Sequence, residues 1–490
     1  MRRLTPAATI AILAAWALLL LVTHHAEKSP YTYVSELTYG ESPLSDLGRV
    51  AAPDALTVLP VTRFFYDGTA PADYARAHNL WLPLHSFAAA IGLSFVRNYL
   101  WANSLVNLLF IVIVAAAAVR FGTARGLRPL PLLLGMATLL ALPPVVACIG
   151  QPLHYIVAPA ITFLMMLSAM AMGEEDLRNP WIAGALTAVQ TLNYHWYVFV
   201  AALTTYLAVV RFRRRRDDAI YLIVAAAPAI GWELFLRAVT AGHASTTIRN
   251  ALVLPVLYEW AEFLRHPLER LMMPLIATHV GAAVAFHQAI ALIHWPLLIA
   301  AVCALWVLRP RAPRLLLLLL AFFLLEQLVS AAFDFENSPR RALPLFFAFA
   351  CAYCWSVDRL SERRGWKLTF AALFAFTAFF AFADVVFDRA GGAFLNVGEA
   401  IQLPKDAIRY ETRTVPREPA GVARDPQPEL RAPFPSARYA RSGAFAFAQL
   451  FVAFWMGMAF WIAARARLLP RFAPWAFAGV WLVSVMVRMI

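Results

Sequence analysis

The sequence predicts an all-α polytopic membrane protein with about thirteen transmembrane helices, a cytoplasmic N-terminus and a large first outer loop with short juxtamembrane helices. Three observations predict it. Of 490 residues, 61% are hydrophobic and only 14% charged, where a soluble domain carries about 25% charged residues. Apolar runs of about 20 residues recur along the whole chain, each long enough to cross the hydrocarbon core of a bilayer. Basic residues crowd into alternate connecting segments, the charge bias that orients membrane helices.

In chain order the runs lie near 5–23, 98–120, 129–149, 152–172, 181–195, 196–210, 219–239, 287–308, 315–333, 342–357, 368–387, 443–464 and 472–490. The first follows Met1-Arg2-Arg3, as a secretory signal would, but no small-x-small cleavage site precedes His24. It reads as a retained helix. The short pair 181–195 and 196–210 reads as a tight hairpin or a partly re-entrant segment. The whole of 1–490 reads as one transmembrane domain.

Orientation follows from charge. With Met1 inside, the segments 1–4, 120–128, 174–180, 211–218, 309–314, 358–367 and 465–471 are cytoplasmic. They hold 21 of the 42 Lys and Arg but 7 of the 29 Asp and Glu. The net charge of +13 is therefore all on that side. The RFRRRR run at 211–216 reads as a topology signal rather than a nucleic-acid patch, and no nucleic-acid partner is expected.

Three outward regions remain. The first, 24–97, holds Glu36, Glu41, Asp46, Asp54, Asp67 and Asp73. The second, 240–286, places Trp260, Phe263 and Leu264 beside Glu259, Glu262 and Arg265, as in a helix lying on a membrane surface. The third, 388–442, is rich in Pro, Arg and acids, the composition of a linker or of a lid. The four cysteines lie in or at the ends of spans, and Cys351-x-x-Cys354 reads as helical spacing on an apolar face, not as a disulfide or zinc site. No P-loop, GxGxxG, HExxH or GxSxG motif is present.

Four stretches carry a resemblance. HNLWLPLHSFAAAIGLSFVRNYLWANSLVNLLFIVIVAAAAVRFG joins the first outer loop to a basic turn through a Pro-Leu segment and a polar-dotted helix. GQPLHYIVAPAITFLMMLSAM opens a span at a polar outer edge, LNYHWYVFVAALTTYL sets polar residues before an aromatic helix, and NSPRRALPLFFAFACAY opens a late span with arginine then Leu-Pro. Together, over about residues 5–360, they resemble the GT-C superfamily of membrane glycosyltransferases, including the aminoarabinose-transferase and protein-mannosyltransferase-like members. The Asp-Glu pair that many members carry in the first loop is absent.

The resemblance implies an inverting transferase. It would move a sugar from a polyprenyl-phosphate donor to a hydroxyl of a lipid, glycan or protein acceptor at the outer face of the membrane. The setting implied is a bacterial inner membrane with the site on the periplasmic face. Such a reaction needs an outward carboxylate as general base and cations to hold the leaving lipid phosphate. No cofactor is implied. A divalent cation held by first-loop acids occurs in some members, and without the Asp-Glu pair no metal is expected here.

Asp46 is the first candidate base, because it lies about where the family places its catalytic acid; Ser45-Asp46 equally opens a short helix, so Asp46 also reads as an N-cap. Glu36, between Tyr33 and Tyr39 that can bind a sugar face, comes second and Glu41 third. Asp54, Asp67 and Asp73 read as loop-solvated or helix-capping charges. Arg341 and Arg340 are the candidates for the donor phosphate, or else interfacial anchors. His195 and His154 are their helpers at span edges, with Tyr194 beside His195 as a substrate contact or part of an aromatic belt. Glu326 with Gln327 sits mid-span, either functional or paired with a neighbouring helix. Glu233 and Arg237 read as an ion pair on one helix.

Two other classes compete. An O-antigen ligase or polymerase would use arginine and histidine without a carboxylate base, and Arg249, Arg265, His266 and Arg270 in the second outer region could serve it. A lipid or glycan transporter is the other, against which stands the lack of an internal inverted repeat.

Overall fold

The computed structural model describes residues 4–23, 54–68, 83–141, 145, 149–150, 156–193, 215–239, 353–362, 364–389 and 443–489. These are all-α, with no strand among them. The helices are α1 (Pro6–Thr23), α2 (Asp54–Asp67), α3 (Pro83–Val96), α4 (Tyr99–Ala124), α5 (Pro129–Leu140), α6 (Val157–Ala171), the single turn α7 (Glu174–Leu177), α8 (Pro180–Asn193), α9 (Arg215–Val239), α10 (Arg364–Arg389), α11 (Gly443–Arg465) and α12 (Ala473–Met489). A further helical stretch covers 353–360. Among the described residues, four helices are long and apolar enough to cross a membrane: α1, α4, α11 and, over Arg216–Leu236, α9.

The ends of α4 show why the chain folds this way locally. Asn98 is extended at φ −130°, and its side chain accepts from the Trp101 amide at 3.0 Å, an N-cap. At the far end Gly126 takes φ 80° while the Leu127 amide reaches back to the Gly122 carbonyl at 3.0 Å. That left-handed step is what glycine permits. Pro129 then opens α5, where its missing N–H costs nothing.

Two elements differ from the apolar runs. The run 129–149 predicts one span, but α5 stops at Leu140 with Ala141 as its C-cap. Leu142 precedes Pro143-Pro144, and a residue before proline is pushed out of the helical region. The second is α3, which falls inside the first outer region, where short helices are expected. It is apolar, and Pro83 to Ala90 are all buried. At 14 residues it rises about 21 Å, short of the roughly 30 Å hydrocarbon core.

The bundle centres on α4, which packs on α1, α3 and α6. α3 is held among α2, α4 and α12, while α8 packs on α6, α9 and α11. Where α5 meets 353–360 the approach is closest: a Cβ at Gly135 would stand 2.5 Å from Cys354 Sγ. Cys354 is buried.

Several polar side chains inside the bundle find partners on neighbouring segments, as an apolar surrounding favours. Asn193 of α8 donates to the Ala158 carbonyl of α6 at 2.7 Å, and Thr162 donates to Gln190 at 2.8 Å. Trp16 of α1 donates to the Ala137 carbonyl of α5 at 3.1 Å, and Asn107 of α4 to the Ile149 carbonyl at 3.1 Å.

Candidate functional site

One end of the bundle is tied together by arginines. Arg128, before α5, donates from Nε to Asp358 Oδ1 at 2.9 Å and from Nη2 to the Asp358 carbonyl, with Glu362 3.7 Å away. Asp358 is buried and Arg128 half-exposed. Its hydrogen bond to the Asp358 carboxylate pushes the guanidinium further above its already high range. Arg125 donates to the Met170 carbonyl at 2.9 Å, and Arg465 pairs with Asp176 at 2.6 Å. These bonds join 120–128, 174–180, 358–367 and 465–471, four of the arginine-bearing segments that charge counting groups on one side.

The opposite end of α4 carries a different cluster, at the C-terminus of α2. A helix C-terminus leaves carbonyls without intrahelical partners and gathers partial negative charge. Here the last helix supplies the cation. Arg488 Nη1 donates to the Phe65 carbonyl at 2.6 Å and to the Tyr66 carbonyl at 3.1 Å, while its Nε and Nη2 hold Ser484. Gln449 of α11 also donates to the Phe65 carbonyl and accepts from Trp481 Nε1 at 3.2 Å. Aromatic rings wall this cluster: Phe65 stacks on Trp232 at 5.9 Å, and Trp232 on Phe451 at 5.9 Å.

Tyr66 is buried between charges. Burial pushes its phenol above the ordinary range; Arg97 and Arg488 pull the other way, and Asp67 adds to the rise. Asp67 is only 6% exposed and lies 3.5 Å from Arg63. The reading of Asp67 as a loop-solvated charge is therefore corrected: the fold buries it between α2 and its surroundings. The sequence signal available was Arg63 four residues before Asp67 on one helix face. Asp54 is the first residue of α2.

The other candidates lie outside the described residues: Glu36, Glu41 and Asp46; Arg340, Arg341, His154 and His195; Tyr33, Tyr39, Tyr194, Arg249 and His266; and Asp73, Arg265, Arg270, Glu326 and Gln327. Glu233 and Arg237 fall on α9, with their side chains outside the described set. Among the described residues no three His, Cys, Asp or Glu side chains come together as a metal site would require.

The described cluster thus consists of a buried carboxylate, a buried phenol and three guanidiniums where α2 meets α12. Its chemistry is that of a rigid polar seat, able to hold an anion at its exposed arginines, Arg63 and Arg97. Neither a scan against protein-family models, nor a search of curated proteins, nor a search of solved structures finds a match to the chain.

Proposed function

We propose that this chain is an integral membrane glycosyltransferase of the GT-C type, with thirteen spans and Met1 inside. It would move a sugar from a polyprenyl-phosphate donor to an acceptor hydroxyl at the outer face. The observation that carries the reading is the docking of α2 into the bundle through Arg488 and Gln449. It anchors α2, which follows the candidate carboxylates in the chain, at the end of α4 opposite the Arg128–Asp358 and Arg465–Asp176 pairs. A transferase needs its base held on rigid elements, whereas a passive pore has no use for so firm a seat.

In the reaction the acceptor oxygen attacks the anomeric carbon as the bond from that carbon to the phosphate oxygen breaks. The electron pair leaves with the lipid phosphate, held by Arg341 and Arg340 with His195 and His154 beside them. The acceptor proton passes to a carboxylate: Asp46 first, then Glu36 or Glu41. Removal of that proton in the transition state contributes roughly 10²–10⁴-fold. Direct displacement inverts the anomeric centre. Tyr33, Tyr39 and Tyr194 would face the sugar.

The test is sugar transfer from a polyprenyl-phosphate donor in membranes carrying the wild type, Asp46→Asn, Glu36→Gln and Arg341→Ala at matched expression. Loss with either carboxylate variant supports the base, and loss with Arg341→Ala supports the phosphate site. Full activity in both carboxylate variants, with loss in His266→Ala, would establish a ligase-type mechanism in its place. The same assay with a chelator reads out any need for a divalent cation.

A further inference from the structure

Only two non-glycine residues among those described have a positive φ, and both are arginines: Arg97 at 52° and Arg467 at 60°. This left-handed region is one in which glycine is cheaper than any residue with a Cβ. Each closes the C-terminus of an apolar helix. The Arg97 amide bonds back to the Leu93 carbonyl at 3.0 Å, and the Leu468 amide reaches the Ala463 carbonyl at 2.9 Å around Arg467. These are turns in which glycine is the usual residue. Both side chains are exposed, and neither guanidinium meets a carboxylate among the described residues. An exposed arginine standing where glycine folds more easily is free to be used for binding rather than for folding.

The two positions lie at opposite ends of α4. Arg97 immediately precedes its N-cap, beside Tyr66 and the Arg488 cluster. Arg467 belongs to the far end, linked to it through Arg465, Asp176 and the bond from Arg125 to Met170. α4 has 26 residues, a rise of about 39 Å. The distance from headgroup to headgroup across a bilayer is about 40–45 Å. Two exposed cations at the two ends of a helix of that length, each following an apolar helix, suit the two phosphate planes of a membrane. Arginine presents a planar fork of donors suited to phosphate.

We propose that Arg97 and Arg467 are phosphate-binding sites for phospholipid headgroups, one in each leaflet, which fix the depth of the bundle in the bilayer. The ligand class is the phosphate of a membrane phospholipid, recognised by an arginine fork whose backbone is preset by a left-handed turn.

The test measures thermal unfolding of the full chain in three surroundings: a phosphate-free maltoside detergent, nanodiscs of phosphatidylglycerol, and nanodiscs of a phosphate-free glycosyl diacylglycerol. The variants are Arg97→Gly, Arg467→Gly and the corresponding lysines. In detergent the glycine variants should melt at or above the wild type, because the strained turn is relieved. In phosphatidylglycerol they should melt lower, by about 1–2 °C at each site. That deficit should vanish in the glycolipid and be recovered in part by lysine. A deficit of equal size in all three surroundings, or in none, would overturn the proposal. So would millimolar inorganic phosphate in detergent stabilising the wild type as much as the phospholipid does, which would make the ligand free phosphate.

Discussion

The Arg488 guanidinium donates to the Phe65 carbonyl at 2.6 Å across 423 positions of chain. One residue of the last helix thereby caps the C-terminus of the first helix beyond α1 among those described. Phe65 and Tyr66 are buried, so both carbonyls lose a donor that water does not readily replace if Arg488 is lost, while Gln449 still donates to the Phe65 carbonyl. An unsatisfied buried acceptor costs about 1–3 kcal/mol. Arg488→Met keeps the stem and removes the fork. It should raise amide exchange over 54–67 at least tenfold while leaving α4 protected. Uniform change across both helices would show that Arg488 does not act as a local cap.

Tyr66 gives the same region a pH signature. Burial raises its phenol above the ordinary value of 10.0, against the pull of Arg97 and Arg488. A group whose folded value is raised stabilises the fold fully below its unfolded value and loses that contribution as pH climbs through the folded one. Stability should therefore fall above pH 10, and Tyr66→Phe should flatten the fall. Chemical unfolding of the two proteins at a series of alkaline pH values checks it; parallel curves would count against the buried phenol.

The two ion pairs at the arginine-tied end make a graded comparison. Asp358 is 5% exposed beside Arg128, whereas Asp176 and Arg465 are 33% and 43% exposed. Exposed pairs contribute roughly 0.2–1 kcal/mol, and a double-mutant cycle at Arg465–Asp176 should fall there and shrink in high salt. Arg128 Nε and a backbone N–H both reach Asp358 Oδ1, and the carboxylate is enclosed. The cycle at Arg128–Asp358 should give the larger coupling, of the order of 1–3 kcal/mol, and keep it in salt. Equal coupling at both sites would mean that burial has no part in the difference.

Much of this fold is legible in the sequence because a long apolar run needs no tertiary context to be recognised. α1, α4 and α11 follow from length and composition alone. α3 is not legible in that way: its 14 mostly apolar residues are too few to signal a span, and its packing among α2, α4 and α12 explains them. The end of α5 was written in Pro143-Pro144, a local signal that averaged hydropathy smooths away. The burial of Asp67 is not written in the local sequence, where the spacing from Arg63 signals a partner but not an enclosed site. The candidate base and phosphate ligands rest on the resemblance and on charge placement, so they await the transfer assay rather than local geometry.

The close approach of Gly135 to Cys354 offers the sharpest packing test. A Cβ at Gly135 would meet Cys354 Sγ at 2.5 Å and the Cys354 backbone carbon Cα at 3.1 Å. The sulfur can be removed by mutation, but the backbone carbon cannot. Gly135→Ala should destabilise the bundle by about 1–3 kcal/mol through overpacking. Adding Cys354→Ala removes the sulfur clash and leaves the crowding against the backbone carbon, so it should recover part of the loss and not all of it. Cys354→Ala alone should cost less than Gly135→Ala, since trimming one buried sulfur leaves a small void. Thermal unfolding of the three variants decides the matter. Full recovery in the double variant would place the whole strain on the sulfur, and no recovery would mean that α5 and the 353–360 stretch do not meet there.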